Sequence, residues 1–271
     1  MNLFILIAEA LTISTLLFLY LNYKAKVELK YLFIDNIIVA VVAAITTNLF
    51  NISYLNNLFY AFVLNILMVP VMLVLITLIR FYRVPYRKTD ANEDDIVSPA
   101  DGNIIYIKRV EAGNIPIAIK NGEISKLSEL TNTDILETPC WLIGINMTPF
   151  DVHKNSAPIS GKIILNKHFD GKFLSLKDAK SEIENERNTI VIDNGKFKVG
   201  VVQIASKKVR RIVTYYKENE NIKRGEWFGM IKFGSQVDVI IPINYQVNVN
   251  LKDQIYAGKT IIATPSDTIN D

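Results

Sequence analysis

The sequence predicts two structural parts, a three-helix transmembrane region followed by a mostly antiparallel β domain. Three long apolar stretches occupy the N-terminal part, and beyond residue 95 short runs rich in Val, Ile, Tyr and Phe alternate with Gly, Asn, Asp and Pro. The first pattern is typical of membrane helices and the second of an antiparallel β fold. We therefore assign residues 1–80 to the helices, 81–95 to a basic and aromatic linker, and 96–271 to the β domain.

The composition narrows the class of protein. Of the 271 residues 50% are hydrophobic, and the mean hydropathy of +0.22 is high for a soluble protein. The 30 basic and 27 acidic residues leave a formal net charge of +3, which is too close to balance to indicate nucleic-acid binding. We therefore expect the chain to associate with a membrane and to have no nucleic-acid partner.

The cysteine and histidine residues bear on redox chemistry and metals. Cys140 is the sole cysteine, so no disulfide can form within the chain, and its neighbours indicate a buried structural thiol rather than a nucleophile. The only histidines are His153 and His168, and no Cys-x-x-Cys or His-x-x-x-His spacing occurs. We predict no metal site.

The apolar stretches cover residues 3–21, 31–50 and 58–79. Each is close to the ~20 residues that a helix needs to cross the hydrocarbon core of a bilayer, and we interpret all three as transmembrane helices. Glu9 lies inside the first stretch, where an acid is a functional candidate. We expect Glu9 instead to approach the interface or to pair with another span.

The basic residues predict the orientation of these helices. Lys24, Lys26 and Lys30 lie between the first and second stretches, no charged residue lies between the second and third, and a basic cluster begins at Arg80. The positive-inside rule places the first loop and everything after Ile79 in the cytoplasm. We therefore predict a multi-pass protein of the cell membrane with its β domain in the cytoplasm.

Residues 80–87, Arg-Phe-Tyr-Arg-Val-Pro-Tyr-Arg, directly follow the last stretch. Basic and aromatic side chains suit the headgroup layer of a bilayer. The segment either holds the β domain against lipid headgroups or only flanks the last helix.

Ten short runs of the β domain have strand-like composition. They cover residues 103–110, 115–119, 141–147, 162–165, 189–193, 197–204, 209–216, 230–233, 237–241 and 246–251. A short helix is predicted over 174–184. Two Pro-x-x-Gly-x-Ile turns, at 99–104 and 158–163, resemble the half-repeats of lipoyl and biotinyl carrier domains and predict a β-sandwich or barrel-sandwich-like fold. The likeness is one of fold only, because no Met-Lys carrier pattern is present.

A Gly-Ser pair, Gly234-Ser235, lies between two apolar runs. Gly234 leaves its carbonyl carbon open to attack, and the Ser235 hydroxyl is the nearest nucleophile. An N-to-O acyl shift followed by elimination would cut the chain and convert Ser235 into a pyruvoyl group. Taken alone, a Gly in a strand pattern more often marks a bulge or turn.

Other motifs accompany the Gly-Ser pair in a defined order. They are Ser98-Pro99-Ala100-Asp101-Gly102, Asp151-Val152-His153, Ala157-Pro158-Ile159-Ser160-Gly161, and Gly225-Glu226-Trp227-Phe228-Gly229 ahead of Phe233-Gly234-Ser235. Together they resemble the phosphatidylserine decarboxylase family of pyruvoyl-dependent proenzymes. The likeness covers roughly residues 80–265 and is to the short form, which includes archaetidylserine decarboxylases and has Phe-Gly-Ser rather than Leu-Gly-Ser-Thr at the cleavage site.

The resemblance implies an enzyme that cleaves itself between Gly234 and Ser235 and decarboxylates a serine phospholipid. Its covalent cofactor would be the pyruvoyl group made from Ser235, and its two fragments would stay associated. The lipid could be ester-linked phosphatidylserine or its ether-linked archaeal equivalent.

The resemblance also assigns residues. Asp101 and Ser235 match two members of the family's self-processing triad, and His153 matches the first of two histidines in the longer form. Ser156 stands where the second histidine is found there, so His153 must serve both steps or another group must serve one.

Four further side chains, Ser156 among them, are weaker candidates for the site. His168 is the only other histidine, and Lys154 and Arg211 could contact phosphate or carboxylate.

Two other functions remain open from the residues themselves. A membrane serine hydrolase could use Ser235, His153 and Asp101 on an external substrate, although no Gly-x-Ser-x-Gly elbow is present. A membrane-tethered β-sandwich that binds partners would use no chemistry at all. Both alternatives predict an uncut chain.

Overall fold

The chain forms two compact units in the computed structural model. The structure describes residues 3–25, 27–111, 117–118, 124–125, 131, 135–171, 185–205, 212–232 and 235–266. One unit comprises Met1–Arg83 together with Thr148–Phe150, and the other comprises Val84–Met147 and Asp151–Asp271. The first is helical and the second is built from strands.

Three helices make up the first unit: α1 (Leu3–Ala25), α2 (Leu29–Phe50) and α3 (Leu58–Tyr82). A π-helical turn, Asn51–Leu55, continues α2, and the Asn57 side chain caps α3 by accepting from the amides of its first turn. Each helix is long and apolar enough to cross a membrane, with 18-residue windows of mean hydropathy 2.1, 1.9 and 2.8. The predicted stretches are therefore helices. The helices α1 and α3 end later than their apolar runs because polar residues continue the last turn, whereas α2 begins two residues earlier than its run and ends with it.

Polar side chains join the helices to one another. Asp35 is fully buried and accepts two hydrogen bonds from Arg80, at 3.1 Å from Nε and 2.5 Å from Nη2. Asn65 of α3 donates to Glu9 Oε2 at 2.8 Å and to the Leu6 carbonyl at 2.9 Å. Glu9 thus pairs with another helix, which is one of the two arrangements expected from the sequence.

The tripeptide Thr148–Phe150 belongs to the helical unit although it lies between two strands in the sequence. The Phe150 ring is fully buried, with its centroid 5.8 Å from that of Phe18 and 5.0 Å from that of Tyr31. Arg83 Nη1 donates to the Phe150 carbonyl at 2.8 Å. These ring contacts and this hydrogen bond fix the tripeptide among α1 and α2.

Sixteen strands are present in the described part of the second unit. They are β1 (Ile96–Val97), β2 (Gly102–Val110), β3 (Ile117–Ala118), β4 (Ile124–Ser125), β5 (Cys140–Met147), β6 (Lys154–Ser156), β7 (Gly161–Phe169), β8 (Arg187–Asp193), β9 (Lys198–Ala205), β10 (Ile212–Thr214), β11 (Asn221–Ile222), β12 (Trp227–Ile231), β13 (Ser235–Pro242), β14 (Tyr245–Val247), β15 (Gln254–Ile255) and β16 (Ile261–Pro265). Every strand pair is antiparallel, as the sequence predicted.

The strands form one large sheet and three small ones. The large sheet has the order β11-β7-β8-β9-β13-β5-β2-β15, and two three-stranded sheets have the orders β1-β16-β14 and β10-β12-β6. The strands β3 and β4 form a separate pair. Strand β13 lies inside the large sheet, with β9 on one side and β5 on the other.

Both faces of β13 are buried, and each face packs in a different hydrophobic cluster. Val237, Val239 and Ile241 pack in the larger hydrophobic cluster, whereas Ile240 belongs to a smaller cluster. Because side chains alternate along a strand, Asp238 shares the face of Ile240. The apolar run Val239-Ile240-Ile241 in the second half of this strand is thus explained by burial on both sides.

The predicted runs do not cover β4, which pairs with its neighbour β3, or five strands whose partners are distant in the sequence: β1, β6, β11, β15 and β16. Each has two to five residues, and all except β1 carry polar or Pro residues. The five pair with distant parts of the chain, for example β15 with β2 and β16 with β1, so local composition gives little signal. The helix predicted over 174–184 lies outside the described residues.

Candidate functional site

The chain passes from one sheet to another immediately before Ser235. Strand β12 ends at Ile231 in a three-stranded sheet, and β13 begins at Ser235 in the large sheet. The backbone of Ser235 pairs with Met147 of β5 and with Ala205 of β9. Phe233, Gly234 and the Ser235 side chain lie outside the described part, so the predicted scissile bond is located by its flanking strands.

His153 directly precedes β6, the strand that pairs with β12. Its carbonyl oxygen accepts from the Ile231 amide at 3.2 Å, and its side chain is fully buried. The imidazole Nδ1 lies 2.9 Å from the Asp151 carbonyl oxygen. Because a carbonyl oxygen can only accept, Nδ1 carries the proton of the neutral ring and Nε2 keeps the lone pair. This tautomer can act as a base through Nε2.

Asp101 is fully buried, in the turn between β1 and β2. Both of its carboxylate oxygens bind the Arg87 guanidinium, with Nη2 at 2.7 Å from Oδ2. Oδ1 also accepts from the Ala257 amide at 2.9 Å, and Oδ2 from the Val152 amide at 3.4 Å. The second of these contacts joins Asp101 to the residue that precedes His153.

Hydrogen bonds to backbone groups therefore link three parts of the site, namely Asp101, His153 and the strand that leads to Ser235. The Val152 amide connects Asp101 to the His153 segment, and the His153 carbonyl connects that segment to Ile231. The motifs that carry Asp101, His153 and Ser235 are far apart in the sequence, and the sheets bring these segments together.

Two weaker candidates, Lys154 and Ser156, lie on β6. The buried Ser156 hydroxyl donates to the Ser98 carbonyl at 3.4 Å. The Lys154 ammonium lies 5.7 Å from the centroid of the Tyr215 ring. A serine bound in this way offers a hydroxyl group but no imidazole base. Arg211, the third candidate, lies outside the described residues.

His168 is on β7, near one side of the large sheet. Its side chain is 42% exposed, and Nε2 lies 3.4 Å from Glu186 Oε1 and 3.7 Å from Asp170 Oδ1. His168 is therefore a partner of one buried carboxylate, Glu186, and one exposed carboxylate, Asp170. Neither contact involves Asp101 or His153.

A chain of buried amide side chains lies beside His153 and was not predicted from the sequence. Asn155, on β6, accepts from Gln203 Nε2 at 2.8 Å and donates to the Pro99 carbonyl at 3.4 Å. Gln203 in turn accepts from Asn188 at 3.4 Å. All three side chains are almost wholly buried, so the bonds satisfy polar groups that would otherwise destabilise the core. Isolated Asn and Gln residues in strands give no local signal for such a chain.

A buried carboxylate close in sequence to Ser235 was also missed. Asp238 is fully buried and accepts from Tyr106 Oη at 2.7 Å and from Gln236 Nε2 at 2.9 Å. The Asp-Val alternation of β13 suggests a half-exposed strand, whereas both of its faces are covered.

The described residues include no group of three or more His, Cys, Asp or Glu side chains that could hold a metal ion. Cys140 is buried among apolar side chains, and this burial raises the pKa of its thiol to about 12. The thiolate needed for nucleophilic attack is therefore scarce near neutral pH, in agreement with a structural role.

Comparison with known proteins identifies relatives over the region that carries these residues. The family model described as phosphatidylserine decarboxylase matches residues 74–263. A Methanocaldococcus jannaschii protein, provisionally named archaetidylserine decarboxylase proenzyme, is 45% identical over 183 residues, which are 68% of this chain and 87% of that protein.

Two further relatives come from an archaeon and a bacterium. A Methanothermobacter thermautotrophicus protein with the same provisional name is 40% identical over 188 residues, or 69% of this chain and 79% of that protein. A phosphatidylserine decarboxylase proenzyme from Geotalea uraniireducens is 36% identical over 183 residues, or 67% of this chain and 76% of that protein. On the family match and these identities, the chain belongs to the phosphatidylserine decarboxylase family of enzymes.

Proposed function

We propose that this protein decarboxylates a serine phospholipid by means of a pyruvoyl group that it makes by cutting itself between Gly234 and Ser235. The observation that carries the proposal is the position of Ser235. It begins strand β13, and only residues 232–234 separate it from Ile231, whose amide binds the His153 carbonyl. The names of the three relatives, all decarboxylase proenzymes, support both the reaction and the cleavage.

The first chemical step breaks the Gly234–Ser235 peptide bond. The Ser235 hydroxyl oxygen attacks the Gly234 carbonyl carbon, His153 Nε2 takes the hydroxyl proton, and the proton passes to the departing Ser235 nitrogen. The product is an ester between the Gly234 carboxyl group and the Ser235 oxygen. A serine needs such a base because its hydroxyl is a poor nucleophile near neutral pH.

Elimination then separates the fragments. A base removes the Ser235 α proton, the Cβ–O bond breaks, and the Gly234 carboxylate leaves. The resulting dehydroalanine tautomerises to an imine, and one water molecule hydrolyses the imine to a ketone with release of ammonia. The large fragment ends at Gly234, and the small fragment begins with the pyruvoyl group.

The described strands support a stable two-fragment product. The small fragment would contain β13, which pairs along its length with β5 and, for most of it, with β9 of the large fragment. Its strands β15 and β16 pair with β2 and β1. Residue 235 therefore fits a pyruvoyl group, because a new terminus there remains held in the sheet.

A bound pyruvoyl group supplies a ketone that reacts with a primary amine and accepts the electrons released as CO2 leaves. His153, with its base-competent Nε2, is the group proposed to return a proton to the former α carbon of the headgroup. Asp101 supplies a buried negative charge beside the His153 segment. Lys154 and Arg211 remain candidates for contact with the headgroup phosphate.

The substrate class follows from the relatives and the helices. The relatives are named for archaetidylserine and phosphatidylserine, which share a serine headgroup on a phosphodiester. The three apolar helices support a multi-pass cell-membrane protein, and the charge pattern supports a cytoplasmic location for the strand-rich unit. We further propose that this unit has the β-sandwich, barrel-sandwich-like fold predicted from its turns.

The test compares purified wild type with Ser235→Ala by denaturing electrophoresis and intact mass. We expect two fragments from the wild type and one intact chain from the variant. The small wild-type fragment should be lighter than the unmodified sequence 235–271 by the mass of one ammonia molecule. An uncut wild type that acts as an esterase would favour a serine hydrolase, and an uncut, inactive wild type would favour a binding module.

A further inference from the structure

The Arg87 guanidinium lies inside the strand-rich unit rather than facing a headgroup layer. Its side chain is only 12% exposed, Nη1 and Nη2 bind the two oxygens of Asp101, and Nη1 also donates to the Ala257 carbonyl at 2.8 Å. The centroid of the Tyr256 ring lies 5.6 Å from Cζ. Arg87 is therefore held by a carboxylate, a backbone carbonyl and an aromatic ring.

The Asp101 carboxylate depends on this arginine for its charge balance. Asp101 is fully buried, and its other donors in the described part of the chain are the neutral amides of Ala257 and Val152. A buried carboxylate that loses its cationic partner is strongly disfavoured and must become neutral or move. The forked guanidinium is also suited to contact both oxygens at once.

We infer that Arg87 is a positioning residue for self-cleavage, an inference that rests on the function proposed above. By fixing Asp101, it holds the carboxylate against the Val152 amide and thereby sets the path of the backbone into His153. The His153 carbonyl is bound in turn by Ile231, near the scissile bond. Within the described part of the chain, Arg87 contacts Asp101, the Ala257 carbonyl and the Tyr256 ring, and we assign its effect on cleavage to Asp101.

Arg87 also joins the two products of cleavage. Ala257 belongs to the small fragment, whereas Arg87 and Asp101 belong to the large one. The Ala257 carbonyl accepts from Arg87, and the Ala257 amide donates to Asp101. The same side chain thus orients the uncut site and connects the cut fragments.

The test follows the cleavage rate of the full-length membrane protein by pulse labelling and chase. Arg87→Ala should slow cleavage by about ten-fold or more, as expected when a buried charge loses its partner. Arg87→Lys should lie between Arg87→Ala and wild type, because a single ammonium cannot replace all the bonds of the fork. Arg109→Ala is the matched control, since the Arg109 side chain is 56% exposed and pairs with Glu111 at the surface, and it should cleave at the wild-type rate.

Chemical rescue separates positioning from a general packing defect. Arg87 lines a cavity of about 600 Å³ together with Tyr216, Trp227 and Gly258, through which a small ion can reach the vacated position. Millimolar guanidinium should restore at least part of the cleavage of Arg87→Ala. Urea has the same shape but no charge, and it should restore none.

The outcomes distinguish this inference from the proposed function. An uncut wild type overturns the proposed function itself. A cut wild type with Arg87→Ala cleaved at the same rate, or rescued equally by urea, overturns only the role of Arg87. If Arg87→Ala aggregates, the cleavage rate of Arg87→Lys tests the inference instead. Cleavage of Arg87→Lys at the wild-type rate would contradict the need for the forked guanidinium.

Discussion

His153 shows how the backbone can prepare a side chain for chemistry. The Asp151 carbonyl fixes the proton on Nδ1 and so leaves Nε2 able to accept one. Ser156, at the position where the resemblance implies a second histidine, is bound to the Ser98 carbonyl. The single buried imidazole at this site is therefore the best candidate for both proton transfers.

Replacing His153 with Asn should stop the chain from cutting itself. Asn has a similar polar shape but no basic nitrogen, so we expect cleavage to slow by at least about 100-fold, the lower end for loss of general base catalysis. The measurement is the ratio of cut to uncut chain after pulse labelling. His168→Asn is the control and should cleave like wild type, because the described contacts of His168 are to Glu186 and Asp170 and involve neither Asp101 nor His153. Slow cleavage in His168→Asn with normal cleavage in His153→Asn would reverse the assignment.

Arg87 illustrates which site residues the sequence could not reveal. Asp101 and His153 stand in motifs that were recognised directly, whereas Arg87 was interpreted as part of an interfacial segment because its neighbours are basic and aromatic. Its partners, Asp101 and Ala257, are distant in the sequence. A contact that depends on how remote segments meet leaves no pattern in the local composition.

Among the elements, strand β13 bears most directly on the proposed reaction, because it begins at Ser235. It pairs with strands on both sides, and its polar face holds Asp238 against Tyr106. Tyr106 reaches Asp238 by lying over Gly144 of β5, where a Cβ atom would come within 2.5 Å of the ring. A glycine at position 144 is thus required by the close approach of the Tyr106 ring.

Gly144→Ala should destabilise the strand-rich unit. The added methyl group would displace the Tyr106 ring and weaken its hydrogen bond to Asp238, at a combined cost of about 2–4 kcal/mol. Thermal unfolding in detergent should show a lower midpoint. Tyr106→Phe removes only the hydroxyl and should lower the midpoint less. Equal midpoints for Gly144→Ala and wild type would show that the ring can move at no cost.

The helices were predicted more completely than the strands, for a physical reason. The length of apolar sequence needed to cross a bilayer is a local property, so all three helices were identified from the sequence. Strands such as β6 and β15 have two or three residues and exist because distant partners supply their hydrogen bonds. Composition alone identified the longer strands, such as β5 and β9, to within one residue at each end.

At the scale of the whole molecule, the bonds between helices agree with an alternating path through a membrane. Asp35 near the start of α2 binds Arg80 near the end of α3, so these two helix ends lie together. The same two ends carry the basic clusters that the positive-inside rule assigns to the cytoplasm. One orientation satisfies the pairing and the charge pattern together.

Single cysteines can test this orientation in spheroplasts. Cys140 is buried and its thiol is protonated, so it should react little with a membrane-impermeant maleimide. Ser53→Cys, between α2 and α3, should be labelled from outside, and Lys88→Cys, after α3, only once the membrane is opened. Wild type measures the background from Cys140. Labelling of Lys88→Cys in sealed spheroplasts would invert the proposed topology.

The placement of β13 between β5 and β9 also determines when the proposed ketone could form. Residue 235 acquires its neighbours only after strands from well before it, and the Ala257 segment from well after it, have come together. A nascent or unfolded chain is therefore chemically ordinary at this position. In the proposed reaction, folding would therefore time the synthesis of the reactive carbonyl and would protect the amines of the cell from an electrophile on incomplete chains.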